Sequence, residues 1–398
     1  MPDDLQVARV KAGGMGVFGA DTSTPEQLAV ELQWIEDHID GRPYGVDVLF
    51  PKHYDDVASQ QGVDPRSLIP QQHQEFVENL LAKHNVPHLP GDEEDRMLKD
   101  MLSRKKGTPE FTQALLEVAF RFKGVRLLVT AIGTPPPEVI ERAHRQGIKF
   151  GAMVGKPEHA IKQRNAGVDL IIAQGHEAGG HTGEITTMVL IPQIVDAVAP
   201  LPVLAAGGIG RGRQVAAALA LGAEGVWCGS VWLTTQESDA LPALRKRILA
   251  SKSSDTVRTR CFTGKPGRFL KSAWSDAWES PEAPAPLGRP LQYFLRTPSF
   301  ARIDRVGAEA LVSSPIGQIV GGADEPADGI ALSGACLRKA GHLKREEGSH
   351  DSRSAVVVAR VVRNGERRCI GAGMAAAPAT HHRALWRGIS RHRCPYHR

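Results

Sequence analysis

Short apolar segments alternate with amphipathic segments over the first 230 residues. The apolar segments predict strands, and apolar residues recur every three or four positions in the stretches between them, as in helices. Strands that alternate with helices indicate a parallel sheet, and the strands lack strict polar alternation because both faces are buried. Seven strands are predicted: Gly16–Ala20, Tyr44–Phe50, Val125–Thr130, Lys149–Met153, Leu170–Ala173, Val203–Ala206 and Gly225–Cys228.

This order predicts an α/β fold, a (β/α)8 TIM barrel that lacks its first strand. Such a barrel needs eight strands, and residues Leu5–Val10 read as the last turns of the helix that would follow the first one. We therefore expect the missing strand to precede Met1.

A long polar region, Lys52 to Gly107, follows the strand at 44–50. It contains two predicted helices, near Gln72–His84 and Asp92–Arg104, and is too long for an ordinary strand-to-helix connection. We interpret it as a helical insertion on the ligand side of the barrel and a candidate lid. A solvated decoration without function is the alternative.

Three regions are expected along the chain: residues 1–234 form the catalytic barrel domain with the insertion at 52–107, residues 235–322 form an extension packed on the barrel, and residues 323–398 form an irregular, disordered tail. The tail is rich in Arg and Ala, with ten arginines against two acidic residues from Asp351 onward, so it carries the basic excess of the +5 chain. An out-of-frame segment of a GC-rich gene would have this composition. Nucleic-acid binding through the tail is a minor alternative.

The apolar runs, the first residues and the cysteines indicate which classes of protein can be excluded. The sequence has no run of about 18 apolar residues, so it predicts no membrane span. The first residues lack the basic and apolar regions of a secretory signal. The five cysteines show neither C-x-x-C nor zinc spacing. We expect a cytoplasmic protein without a structural metal, and the oligomeric state stays open.

The chemistry concentrates in one glycine-rich stretch, Ala173–Gly183, between a strand and a helix. Loops at the carboxyl ends of parallel strands bind ligands, and the four glycines here let a ligand approach the backbone. His181 is the preferred catalytic base, because an imidazole takes up a proton near neutral pH and its glycine neighbours leave it room. His176 is interpreted as structural or solvent-facing, and Glu177 as a residue that orients the loop.

Two further glycine loops follow the last two strands, Ala205–Gly210 and Val226–Ser230. Loops in these positions commonly bind a phosphate through backbone N–H groups and a helix N-terminus. Asp47 lies near the carboxyl end of its strand, where its carboxylate could hydrogen-bond a ring or pair with a nearby base.

Together these three motifs resemble the nitronate monooxygenases, formerly called 2-nitropropane dioxygenases. The resemblance implies an FMN-dependent TIM barrel that oxidises alkyl nitronates or nitroalkanes with O2 to carbonyl compounds and nitrite. It implies His181 as the catalytic base and a set of flavin-binding positions: Asp47, Gln174, Gly179, Gly180, Gly207, Gly208, Trp227, Cys228, Gly229 and Ser230. Asp47 departs from the family, where an asparagine is common.

Two alternatives stay open. An FMN-dependent NAD(P)H reductase, acting on enoyl-acyl-carrier-protein or quinone, would use the same barrel and a similar loop. A truncated, non-catalytic flavin-binding relative would explain the absent first strand and the unusual C-terminus.

Overall fold

The structure of the chain is a computed structural model that describes residues 14–50, 65–103, 108–235, 238, 240–321 and 356–361. The statements below refer to these residues. Parts of the predicted insertion (52–64 and 104–107) and most of the predicted tail lie outside them, and so does the predicted helical turn at Leu5–Val10.

Eight parallel strands form a closed barrel, which confirms the predicted fold class. The barrel strands are β1 (Met15–Gly19), β2 (Tyr44–Asp47), β3 (Val125–Thr130), β4 (Lys149–Val154), β5 (Leu170–Gln174), β7 (Val203–Ala206), β8 (Gly225–Cys228) and β11 (Val356–Val361). A separate antiparallel sheet contains β6 (Gly180–His181), β9 (Thr256–Thr259) and β10 (Gly267–Leu270), in the order β6-β10-β9.

The helices are α1 (Pro25–His38), α2 (Gln71–Lys83), α3 (Glu93–Ser103), α4 (Pro109–Ala119), α5 (Pro137–Arg145), α6 (Pro157–Asn165), α7 (Thr187–Val198), α8 (Gly212–Ala220), α9 (Pro242–Ala250), α10 (Ala273–Trp278) and α11 (Leu291–Val306). Helix α1 begins at the predicted signal. The Thr24 hydroxyl accepts from the Gln27 N–H, the Gln27 side chain accepts from the Thr24 N–H, and Pro25 occupies the first helical position. This capping box satisfies N–H groups that no helical carbonyl can reach.

The eighth strand corrects one expectation. Strand β11 pairs with β1 on one side and with β8 on the other, in the gap that the absent first strand was expected to leave, and it lies within the segment predicted to be irregular. The sequence Val-Val-Val-Ala-Arg-Val is rich in β-branched residues, which favour strands. Pairing on both sides also removes the two exposed sheet edges of a seven-stranded barrel.

Alternating strand residues pack on opposite sides of the barrel wall, and together they form the barrel core. One set fills the barrel interior and includes Val17, Leu127, Val129, Ile172 and Trp227. The other set packs outward against the helices. This two-sided burial explains why the strands read as continuous apolar runs.

A second core lies beside the barrel. It joins apolar side chains of α2, including Val77 and Leu81, with those of α9, α10 and α11, including Trp274 and Ile303. The Arg302 guanidinium, 3% exposed, forms a two-pronged ion pair with Glu78 of α2. Helix α2 of the insertion and the segment after residue 240 therefore share one core.

No helix in the described part of the chain is long and apolar enough to cross a membrane.

Asp169, between α6 and β5, is a hydrogen-bonded centre that fixes neighbouring barrel elements. Its carboxylate accepts from Lys149 Nζ, the Phe150 N–H and His144 Nε2, each at 2.8 Å. Burial alone raises the pKa of Asp169, but the hydrogen bonds outweigh it and the pKa is lowered overall.

We predict that Asp169→Asn lowers the free energy of unfolding at pH 7 by about 1.5–3 kcal/mol, the usual effect of lost hydrogen bonds to a charged group. A lowered pKa in the folded state means that the stabilisation is present above the unfolded pKa and is lost as pH falls through the folded pKa. Urea unfolding at pH 7, 5 and 3.5 should therefore show a difference that shrinks at the lowest pH. The exposed Asp196→Asn is the matched control, and a constant difference at all three values would contradict the assignment.

Candidate active site

The predicted site residues lie at one end of the barrel. Asp47 and Gln174 are the last residues of β2 and β5, and Gly207 and Gly229 directly follow β7 and β8. Parallel strands bring their carboxyl ends to the same edge. The structure therefore brings these positions together around one barrel mouth.

The strand register distinguishes side chains that face the mouth from those that do not. Gln174 lies opposite Ala206, and Ala206 lies opposite Trp227, whose ring is 4% exposed in the barrel interior. Cys228 packs in the outer core between sheet and helices. Cys228 can therefore contact a ligand at the mouth only through its backbone, whereas Trp227 lies level with Gln174 and Ala206 inside the barrel. Asp47 is fully buried at the end of β2.

The Gly207–Gly208 loop forms a cradle that excludes side chains. Both glycines have positive φ, and a Cβ on Gly207 would lie 2.8 Å from Thr187 Oγ1 and 3.0 Å from the Gly175 carbonyl oxygen. Beside this loop lies a cavity of about 550 Å³, bordered by Gly207, Gly208, Glu177 and Gln318. Its volume is within the range of small-molecule sites.

Glu177 anchors the glycine-rich loop to helix α7. Its carboxylate accepts from the Thr187 N–H at 2.9 Å and from the Thr187 hydroxyl at 2.8 Å. A carboxylate at a helix N-terminus satisfies free N–H groups and interacts favourably with the helix dipole. This is the orienting role predicted from the sequence.

A second segment lies directly on this loop. A Cβ on Gly179 would lie 2.7 Å from Ile316 Cα, and a Cβ on Gly317 would lie 2.7 Å from the Glu177 carbonyl oxygen. The Gln318 N–H donates to that carbonyl at 2.9 Å. Two glycines thus permit a backbone-to-backbone contact that no other residue allows.

The loop after β8 is tied to the same segment. Ser230 Oγ accepts from the Gly317 N–H at 2.7 Å. The loop after β8 and the loop after β5 are therefore held together through residues 317 and 318.

His176 has a structural role, in line with the sequence interpretation. Arg268, 4% exposed, donates from Nη2 to His176 Nδ1 at 3.1 Å and from Nε to the His176 carbonyl at 3.2 Å. Burial, together with the positive charges of Arg268 and Arg258, lowers the pKa of His176. A neutral His176 with Nδ1 as acceptor fits this contact.

His181 is presented differently. It lies on β6, which pairs with β10 so that His181 faces Gly267, and its side chain is exposed at the mouth. His181 Nε2 lies 2.8 Å from Thr263 Oγ1. The ring is thus accessible to a ligand, while its Nε2 is held by Thr263, in a turn next to the second core.

Three contact residues were not predicted: Thr263, Arg268 and Gly317. The run Thr263-Gly-Lys-Pro-Gly267 is typical of a tight turn and could have indicated the β9–β10 hairpin. No local pattern indicates that β10 pairs with β6, because the partners are more than 80 residues apart in sequence.

Comparison with known proteins identifies the family. The sequence profile described as nitronate monooxygenase matches residues 2–340. The chain belongs to the nitronate monooxygenase family. It is accordingly an enzyme of the flavin-dependent oxidoreductase class.

Two relatives illustrate the range of similarity within the nitronate monooxygenase family. A protein of Mycobacterium tuberculosis strain H37Rv, named as a candidate monooxygenase, is 50% identical over 330 residues, which cover 81% of this chain and 86% of that protein. A Staphylococcus aureus protein named probable nitronate monooxygenase is 32% identical over 289 residues, covering 69% and 73%.

Solved structures share the fold. A nitroalkane oxidase from Streptomyces ansochromogenes has a TM-score of 0.70 and 27% identity, covering 87% of this chain and 94% of its own. FabK from Thermotoga maritima has a TM-score of 0.62 and 25% identity, covering 87% and 91%.

The residues at the mouth fit a flavin. The Gly207–Gly208 cradle excludes side chains and precedes the N-terminus of α8, the arrangement that binds phosphate groups in many proteins. The adjoining cavity extends from this cradle between α7 and α8, where Met188, Ile191 and Ala217 line it.

We predict that Gly207→Ala abolishes most flavin binding, because the new Cβ would collide with Thr187 and the positive φ is unfavourable for alanine. The measurement is the flavin-to-protein absorbance ratio of the purified variant, with circular dichroism to verify folding. Gly288→Ala is the control, since a Cβ there has no neighbour within 4 Å among the described residues. A folded Gly207→Ala protein with full flavin content would contradict the cradle.

Proposed function

We propose that this protein oxidises alkyl nitronates, and nitroalkanes after their deprotonation, with O2 to carbonyl compounds and nitrite, with FMN as its flavin and His181 as its base. The observation that carries the proposal is that His181 is exposed in the glycine-rich loop that follows β5, on the side of the barrel where the strands end. The family of the chain and its similarity to a nitroalkane oxidase support the reaction class.

FMN would be held by two sets of residues. Asp47, Gln174, Gly179 and Gly180 border the region for the ring, and Gly207, Gly208, Gly229 and Ser230 border the region for the phosphate, with backbone contributions from Trp227 and Cys228. When bound, the flavin supplies the electron-transfer chemistry. The chain supplies position and a proton acceptor.

Two arginines and two glutamates lie beside the loop that carries His181. The hydrogen bonds of Arg268 go to His176 and to the Thr256 hydroxyl, neither of which is negatively charged. Arg258 donates to the Thr182 carbonyl, and its contact with Glu184 is long, at 3.7 Å. Glu177 and Glu184 oppose the two arginines, so these four side chains add no net charge to the loop that carries His181.

His181 can act in two ways. As a neutral imidazole it takes the proton from the carbon of a nitroalkane, and as an imidazolium it stabilises the nitronate that results. The first role is needed only for neutral nitroalkanes, whereas a preformed nitronate bypasses it.

A second candidate function is FMN-dependent NAD(P)H reduction of an enoyl-acyl-carrier-protein or a quinone. The observation in its favour is the structural similarity to FabK, which extends over most of both chains. Anaerobic mixing separates the two candidates. A nitronate bleaches the flavin of a nitronate oxidase, and NADPH bleaches that of a reductase. A purified protein without flavin colour would favour the non-catalytic alternative.

We predict that His181→Gln lowers nitroalkane turnover by about 10²- to 10⁴-fold, the usual contribution of a general base, and lowers turnover of the preformed nitronate much less. Nitrite release and O2 uptake measure both reactions. His159→Gln is the control, because His159 is exposed on α6. Equal losses with both substrates, or no loss, would contradict a role as base.

A further inference from the structure

The geometry points to Thr263 as a positioning residue that fixes the tautomer of His181, with the hydrogen on Nε2 and the lone pair on Nδ1. This inference rests on the proposed function, because it specifies how the proposed base is prepared. Thr263 directly follows Cys261 and Phe262 of the second core, so the inference gives a residue outside the barrel a role in the reaction.

The first step is the hydrogen-bond inventory of the Thr263 hydroxyl. Its oxygen lies 2.8 Å from His181 Nε2, 3.2 Å from the Lys265 carbonyl oxygen and 3.4 Å from the Lys265 backbone nitrogen. A hydroxyl has one hydrogen to donate and two lone pairs that accept.

Only one assignment satisfies all three contacts. The Lys265 carbonyl can only accept, so it takes the hydroxyl hydrogen. The Lys265 N–H can only donate, so it uses one lone pair. The third contact must then be a donation from His181 Nε2–H to the remaining lone pair. In the opposite tautomer the hydroxyl would donate to Nε2, and the Lys265 carbonyl would lose its donor.

The turn that carries Thr263 is anchored firmly. Cys261 and Phe262 are 0% and 1% exposed in the second core, and the Phe262 ring stacks on Phe269 at 4.2 Å. The buried Gln292 side chain donates to the Cys261 carbonyl at 2.7 Å. Gly264 has a positive φ, and a Cβ on it would lie 2.5 Å from the Leu287 carbonyl oxygen.

The histidine is anchored to the same element. His181 pairs with Gly267 on β10, four residues after Thr263. The hydroxyl and the ring are therefore held by one short hairpin segment, so that their separation does not depend on a flexible connection. Such rigid support is what a catalytic constellation needs.

The consequence for the reaction is specific. The carbon–hydrogen bond of the nitroalkane breaks, its proton bonds to Nδ1, and the electron pair moves onto the nitro group to give the nitronate. The imidazolium keeps its Nε2–H on Thr263, so the hydrogen bond that orients the neutral ring also stabilises the charged one. The charged side chains beside the loop include Arg258 of β9, Arg268 of β10, Glu177 and Glu184, and Lys265 lies in the turn that carries Thr263.

The test compares Thr263→Val, which keeps the shape without the hydroxyl, and Thr263→Ser, which keeps the hydroxyl. Thr297→Val is the control, because among the described residues its hydroxyl bonds within α11, to the Tyr293 carbonyl. All variants are flavin-loaded, full-length protein. We expect Thr263→Val to lower kcat/KM for a nitroalkane by about 10-fold or more, to lower nitronate turnover less, and to shift the pH–rate profile. Thr263→Ser should recover most of the loss.

A second readout does not depend on turnover. Nitrogen-15 NMR of histidine-labelled protein, with the His181 signals assigned by their absence in His181→Gln, reports which ring nitrogen carries the hydrogen. We expect Nε2–H in the wild type and in Thr263→Ser, and a mixture of tautomers in Thr263→Val. Nδ1–H in the wild type would overturn the inference, and so would a Thr263→Val protein with unchanged spectra and rates.

The two proposals fail in different ways. If His181→Gln retains nitroalkane turnover, the proposed base is wrong, while the NMR result still decides the tautomer assignment. If Thr263→Val does not fold, the wild-type and Thr263→Ser spectra decide it.

Discussion

The site depends on the contact between the loop Gly175–Gly183 and the backbone of residues 316–318. Gly179 and Gly317 let two chain segments meet with no side chain between them, and the Gln318 N–H closes the contact on the Glu177 carbonyl. On one side Glu177 fixes the loop to α7, and on the other β6 joins β10. The loop that carries His181 is thus attached on one side to the barrel and on the other to the sheet beside the second core.

Much of the fold could be predicted because its signals are local. Each barrel strand except β11 is an apolar run bounded by turn residues. The start of helix α1 is indicated by Thr24 as the N-cap and Pro25 as the first helical residue. The glycine-rich loop could be assigned to the barrel mouth for the same reason, since it follows a predicted strand. Glu177 and His176 took the structural roles that the sequence suggested.

The rest could not be predicted because it depends on pairing between distant segments. Strand β11 is a short β-branched run within Arg-rich sequence, so its local pattern gives a weak strand signal. Its pairing partners, β1 and β8, are distant in sequence and become evident only in the folded barrel. Thr263 and Arg268 act on a loop more than 80 positions away. The outward direction of Cys228 likewise follows from the strand register and not from the glycine motif around it.

The pairing of β1 with β11 also bears on how the molecule reaches its folded state. Met15 lies beside Val358, so the contact that closes the barrel joins positions near opposite ends of the described sequence. Such a contact closes a very long loop and is slow to form compared with local ones. During synthesis from the N-terminus, β1 would keep one edge unpaired until the residues of β11 had emerged. An exposed edge of this kind attracts other strands, so the interval before closure is when the chain is most prone to aggregate.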